Sequence, residues 1–310
     1  MGTRAMSGVL AAALAVCVGC EKDFYAKQIL VHNTGPGKIA MDVTGSGQRL
    51  IRQKRIDLNP RMEMADGTEI DVWVLRAKPG PEGVNLGTAL LLHGLGESKA
   101  RYLPAGENLS KKGFDVVLVD LRCHGRSGGE YVTYGAWEKQ DVKAVMDRLI
   151  ADGTVQGEIY VFGATLGATT AIQYAASDRR VKGVIALTPY KDAASTGRRV
   201  LFATAPTMSH DEYERVLAQA GEMADFDPHA TSSVAAARSV LCPLLLVHGL
   251  LDLSVPLESS QAIYEAAAGP KKLIVVTPGP EQLVLATQIE FGGWIPERIR
   301  ELATVGLRSN

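Results

Sequence analysis

Residues 158–167 read Glu-Ile-Tyr-Val-Phe-Gly-Ala-Thr-Leu-Gly, and residues 168–177 continue Ala-Thr-Thr-Ala-Ile-Gln-Tyr-Ala-Ala-Ser. Glu158–Phe162 is a short apolar run rich in β-branched and aromatic side chains, which is strand composition. Leu166–Ala176 has the length and content of a helix. The chain must therefore turn from strand to helix between Gly163 and Gly167, and the two glycines let neighbouring segments pack closely against a sharp turn.

The same alternation extends in both directions. Upstream, Glu69–Arg76 has a period of two, and Thr88–His93 and Phe114–Leu121 are continuous apolar runs, with a helical interval at Ser98–Lys112 between the last two. Ala136–Ala151 places Trp137, Val142, Val145, Met146 and Leu149 on one side of a helix. Downstream, Val181–Leu187, Pro243–Val247 and Lys272–Val276 read as strands, and residues 257–268 and 281–304 as helices. Continuous apolar strands separated by helices imply an α/β fold, a mostly parallel sheet covered on both faces. Ligands of such sheets sit beyond the carboxyl ends of the strands. Residues 189–240 hold no strong strand and read as a small helical cap, with a helix at Asp211–Ala218.

Composition narrows the function classes. The 310 residues are 46% hydrophobic and 22% charged, which is ordinary globular usage and excludes a disordered chain or a multi-span membrane protein. With 33 basic against 34 acidic residues there is no surplus for nucleic-acid binding. Four cysteines are too few for a disulfide framework in a chain this long.

The amino terminus reads as an address. Arg4 precedes the apolar run Met6–Gly19, too short for the about 20 residues of a bilayer-spanning helix. The run ends Cys17-Val18-Gly19-Cys20, followed by Glu21-Lys22-Asp23, and resembles a bacterial lipobox, although Cys17 stands where Leu is usual. The resemblance implies lipidation of Cys20 and an exported protein held at the cell envelope. A plain signal cut after Ala13-Leu14-Ala15 is the alternative, giving a secreted or periplasmic product. The domain reading is thus a signal at 1–19, a tether with a first strand or two at 20–61, and the main domain at 62–310.

The chemistry-bearing motifs all fall after strands. Gly163-Ala164-Thr165-Leu166-Gly167 has the frame of the G-x-S-x-G nucleophile elbow with threonine in place of serine. His93-Gly94-Leu95-Gly96 follows one strand and Asp120-Leu121-Arg122-Cys123-His124-Gly125-Arg126-Ser127 the next. His248-Gly249-Leu250-Leu251-Asp252-Leu253-Ser254-Val255-Pro256 follows a later one. In this order the four motifs resemble the α/β-hydrolase family, in its serine aminopeptidase-like and monoacylglycerol lipase-like branch, over residues 62–305. The resemblance implies hydrolysis of esters, amides or related bonds. It places Thr165 at the nucleophile position, Asp252 at the acid position, and the backbone N–H groups of Leu95 and Leu166 in the oxyanion hole.

The base is missing from the pattern. Gln282, in Thr277-Pro278-Gly279-Pro280-Glu281-Gln282, falls where the family carries its histidine, and no histidine follows His248. His93, His124 and His248 read as loop residues bonded or packed in place. His32 lies in the amino-terminal segment, and His210 and His229 lie in the cap. An exposed Glu281 would be a weak base for a hydroxyl. Threonine adds a branched side chain that restricts χ1 at a crowded turn. Cys123 and Cys242 read as packed residues. No metal-ligand spacing and no phosphate-binding loop are present, so the expectation is no metal or other cofactor.

These readings converge on an α/β-hydrolase-like envelope lipoprotein with a degenerate triad. It would hydrolyse weakly or not at all, and its old pocket would bind a small acyl- or peptide-like ligand. Two alternatives stand beside it: an active ester or amide hydrolase using Thr165 with an unconventional base, and a non-catalytic interaction protein at the membrane. Nucleic acid is not an expected partner.

Overall fold

The computed structural model describes residues 23–30, 47–78, 85–277 and 294–304. Its centre is one sheet of eight strands: β1 (Arg61–Glu63), β2 (Glu69–Leu75), β3 (Thr88–Leu92), β4 (Asp115–Val119), β5 (Ile159–Ala164), β6 (Val181–Leu187), β7 (Leu244–Gly249) and β8 (Lys271–Val276). Their order is β1-β2-β4-β3-β5-β6-β7-β8. β2 runs antiparallel to β1 and β4, and the remaining pairs are parallel.

The helices are α1 (residues 23–29), α2 (Gly47–Arg52), α3 (Leu103–Lys111), α4 (Glu138–Ala151) and α5 (Leu166–Ser177). They continue as α6 (Ala193–Phe202), α7 (His210–Ala224), α8 (Ser233–Ala237), α9 (Leu257–Ala266) and α10 (Trp294–Thr304). A 3-10 turn, Lys99–Tyr102, leads into α3. No helix among the described residues is long and apolar enough to cross a membrane.

Two apolar layers explain why the strands carry no polar face. Leu90 and Leu92 of β3, with Val117 and Val119 of β4, pack toward α4, α5 and α9. The alternate residues Ala89, Leu91, Val116 and Leu118 pack toward α3 and α10. Successive strand side chains point to opposite faces, so a sheet buried on both sides is apolar at most positions along its central strands.

The cap forms as expected over α6, α7 and α8, and its boundaries are set by capping. Asp192 accepts a hydrogen bond from Ser195 N at the start of α6 (2.6 Å). Ser209 and Glu212 form a reciprocal capping box at α7. The segment before residue 61 differs from the expected tether and strand. Among its described residues, 23–29 form α1 and Gly47–Arg52 form α2, and the first strand of the described residues begins at Arg61. Ala26, Ile29 and Leu30 are fully buried against Leu201 of α6 and Val216, Leu217 and Ala220 of α7. Leu30 O accepts from Val132 N (3.0 Å), and the buried Tyr134 hydroxyl donates to Ile29 O. This stretch packs with the cap. The leading part of the helix expected at 281–304 and the signal region 1–19 lie outside the described residues, while 294–304 is helical as expected.

Candidate active site

The turn after β5 has the geometry its sequence demands. Thr165 adopts φ 44° and ψ −104°, a strained conformation for a β-branched residue, and α5 begins at the next position. A Cβ on Gly163 would lie 2.2 Å from Gly167 O, and one on Gly167 would lie 2.4 Å from Leu92 O. Neither position has room for any side chain, which is the physical content of the glycine frame.

Strand register brings the next loop alongside. Leu92 of β3 pairs with Gly163 of β5, so the residues after β3 leave the sheet beside Thr165. Leu95 N–H donates to Thr165 Oγ1 (3.0 Å), and Thr165 N donates to Leu187 O at the end of β6 (2.8 Å). Leu166 opens α5, where amides have no intrahelical acceptor. Thr165 and Leu95 are thus brought together, with the Leu95 N–H at the hydroxyl, and Leu166 follows Thr165 as the first residue of α5.

Two buried histidines hold this loop. His93 Nδ1 contacts Gly94 O (2.8 Å) and its Nε2 accepts from Leu121 N (3.0 Å). His124 Nδ1 contacts Arg122 O (2.8 Å) and its Nε2 accepts from Gly96 N (3.1 Å). Each ring therefore carries its proton on Nδ1 and is neutral. Complete burial, reinforced by the neighbouring His124 and Lys99, pushes His93 well below the ordinary histidine range. Both nitrogens of each ring are committed to backbone, so neither ring takes a proton from Thr165.

The other described histidines are also engaged elsewhere. His248 is fully buried, with Nδ1 on the Ser260 hydroxyl (2.7 Å) and Nε2 on Val255 O (2.9 Å). His210 and His229 are exposed and both face Glu214 of α7. Asp252 closes the turn after β7, its Oδ1 accepting from Ser254 N (2.8 Å) and Val255 N (2.9 Å). Its Oδ2 has no hydrogen-bond partner among the described residues. Gln282 and Cys20 lie outside the described residues. Cys123 is buried in the core and Cys242 half-buried, neither is in a disulfide, and burial pushes the Cys242 thiol up to about 11.

The sequence reading did not single out Tyr190. Its N–H is held by Thr169 Oγ1 (2.9 Å) and its ring packs edge-on to Tyr134 at 5.9 Å. Burial pushes its hydroxyl up to about 12; the Thr165 hydroxyl works the other way, and the charge of Asp252 adds to the rise. Tyr190 therefore stays protonated at neutral pH and is no base for Thr165. It marks the wall of a cavity of about 620 Å³, shared with Leu95, the cap residues Arg199 and Phe202, and Leu253 of the acid loop.

Ion pairs tie the same loops to the scaffold. Lys99, almost fully buried, bridges Asp71 and Asp120, and Lys99 N donates to Asp120 Oδ1 (2.8 Å). Arg122 makes a two-pronged contact to Asp141 of α4 (2.7 and 2.8 Å). Among the described residues, no group of three His, Cys, Asp or Glu side chains is arranged to hold a metal ion.

Residues 85–219 match the family model described as Hydrolase_4, serine aminopeptidase, S33. The chain is 26% identical over 209 residues to the uncharacterized protein YqkD of Bacillus subtilis, covering 62% of this chain and 64% of that relative. It is 24% identical over 214 residues to the uncharacterized protein YfhR of Escherichia coli K12, covering 69% of each. Among solved structures it is similar to the esterase Pf2001 of Pyrococcus furiosus (TM-score 0.61, 22% identity, 82% of this chain and 95% of that one). It is also similar to a monoacylglycerol lipase of Paleococcus ferrophilus (TM-score 0.53, 21% identity, 76% and 99%). At these identities the structural likenesses establish a shared fold.

Proposed function

We propose, from the α/β-hydrolase fold of this chain, that it is an envelope lipoprotein, lipidated at Cys20, whose pocket binds a small acyl- or peptide-like ligand with weak or no hydrolysis. One observation carries the reading. The Thr165 hydroxyl rests on the Leu95 N–H, while every histidine among the described residues is committed elsewhere. A hydroxyl without a base is a poor nucleophile. Removing the histidine of a serine hydrolase costs about 10⁶ in turnover, leaving roughly 10³–10⁴ over water from the oxyanion hole and binding. Backbone donors outlast side-chain change, so the pocket and hole persist as binding features.

A second reading, a working ester or amide hydrolase with Thr165 as nucleophile, is favoured by the strain kept at Thr165. Such strain is costly and usually accompanies function. The experiment is hydrolysis of short- and medium-chain aryl esters by the chain from Glu21 onward, beside Thr165→Ala and the double change Thr165→Ser, Gln282→His. The expected result is negligible parental turnover and a gain in the double change. Parental turnover abolished by Thr165→Ala would establish the second reading instead. Radiolabelled palmitate incorporation, lost in Cys20→Ala, tests the anchor.

A further inference from the structure

The cavity beside Thr165 has one charged side and one apolar side. Val200 and Phe202 of α6, with Leu95 and Leu253, supply the apolar lining, and Phe202 and Leu253 remain 68% and 89% exposed. Arg198 and Arg199 are the charged side chains of the lining, and no acidic side chain joins them there. Among the described residues neither arginine pairs with a carboxylate. Instead backbone carbonyls aim them: Arg198 donates to Met208 O (2.8 Å) and Ser209 O (3.3 Å), and Arg199 to Leu253 O (2.9 Å) and Ser254 O (3.4 Å).

A guanidinium has five N–H donors in a fixed fork. Two are used on each arginine, and Arg198 also lies over the Tyr213 ring at 5.0 Å, which leaves three N–H groups on each without a hydrogen bond to the described residues. Carbonyls hold the fork without neutralising it, so the site keeps a double positive charge. Arg199 also lines a neighbouring cavity of about 140 Å³, at whose rim Glu258 forms no ion pair with it. The larger volume lies within the range of about 300–1,000 Å³ usual for small-molecule sites.

We propose that this cavity binds an amphiphilic anion, its apolar body against Phe202 and Leu253 and its carboxylate or phosphate group on Arg198 and Arg199. The assignment rests on the binding role proposed above and narrows its ligand class. It also explains why a cap helix should carry adjacent arginines fixed over an apolar mouth.

Calorimetric titration of the chain from Glu21 onward, which retains every described residue, tests this with decanoate, decyl phosphate and 1-decanol. These probes share an apolar chain, differ in head group and contain no carboxylic ester. Expected is binding of at least one anion about tenfold tighter than the alcohol, the gain of a charge-assisted hydrogen bond, and a preference that shrinks at 0.5 M salt. The ranking of decanoate against decyl phosphate then identifies the head group. Arg198→Gln with Arg199→Gln should abolish the preference while leaving decanol affinity unchanged. Should that double change loosen the cap, Arg198→Lys with Arg199→Lys keeps the charge and should retain most of the preference. Equal affinity for all three probes, or a preference indifferent to salt and to both double changes, overturns the assignment. Equal affinities without ester turnover would sink only the anion assignment, whereas anion preference with Thr165-dependent turnover would sink only the non-hydrolytic reading.

Discussion

Replacing Arg122 by methionine should cost the fold about 3–5 kcal/mol at pH 7.5, the usual penalty for stranding one member of a buried ion pair. The structure makes the pair a strong one: two contacts to Asp141 at 2.7 and 2.8 Å, with side-chain exposures of 7% and 3%. Methionine fills similar volume and leaves Asp141 buried beside Glu138. The loss should depend on pH. Burial raises the Asp141 carboxyl to about 6 even with the Arg122 hydrogen bonds pulling it down. A group raised above its unfolded value of 3.8 favours the fold below that value, and the contribution is lost as pH climbs through about 6. Without the guanidinium the carboxyl rises further, so the variant goes on losing stability above pH 6 while the parent has levelled off. Urea denaturation followed by tryptophan fluorescence should show the deficit largest near pH 8 and smaller at pH 5. At about 2–4 °C per kcal/mol, the melting midpoint at pH 7.5 should fall by roughly 6–20 °C. A deficit below about 1 kcal/mol, or one equal at pH 5 and pH 8, would refute the argument that this pair is buried, charged and structural.

Two further outcomes follow from packing. Gly167→Ala forces a Cβ to within 2.4 Å of Leu92 O and 2.6 Å of His93 O, both backbone, and should destabilise by about 1–3 kcal/mol on thermal melting. Ala26→Glu places a charge at a fully buried cap position, so limited proteolysis should cut near residues 23–30 in the variant and spare the parent.

The sheet was legible because its strands are buried on both faces, and such strands leave continuous apolar runs. β3, β5 and β6 lie where those runs do, within a residue or two. The Gly163–Gly167 frame was legible because only glycine fits there. The committed histidines were partly legible, since each follows a strand or a turn where backbone needs partners. Other features rest on contacts distant in sequence. Tyr134 meets Ile29 across 105 positions, and nothing local marks residues 23–30 as part of the cap. Lys99 sits in a short polar stretch that reads as surface, yet it is buried by carboxylates from β2 and the end of β4. Tyr190 lies outside every motif, and only the return of β6 beside Thr165 gives it a place in the cavity wall.

The burial of residues 23–30 against α6 also sets the length of a leash. If Cys20 carries the proposed lipid, three peptide steps separate it from residue 23, and extended chain reaches at most about 3.3–3.6 Å per residue. The anchor point would then stand roughly 10 Å from a helix packed on the element that presents Arg198, Arg199 and Phe202 to the cavity. A body held so closely cannot drift into the aqueous space as one on a long linker does; it can only tilt and swivel over the lipid headgroups. Its ligands would be met by lateral diffusion in the bilayer, at surface densities rather than bulk concentrations.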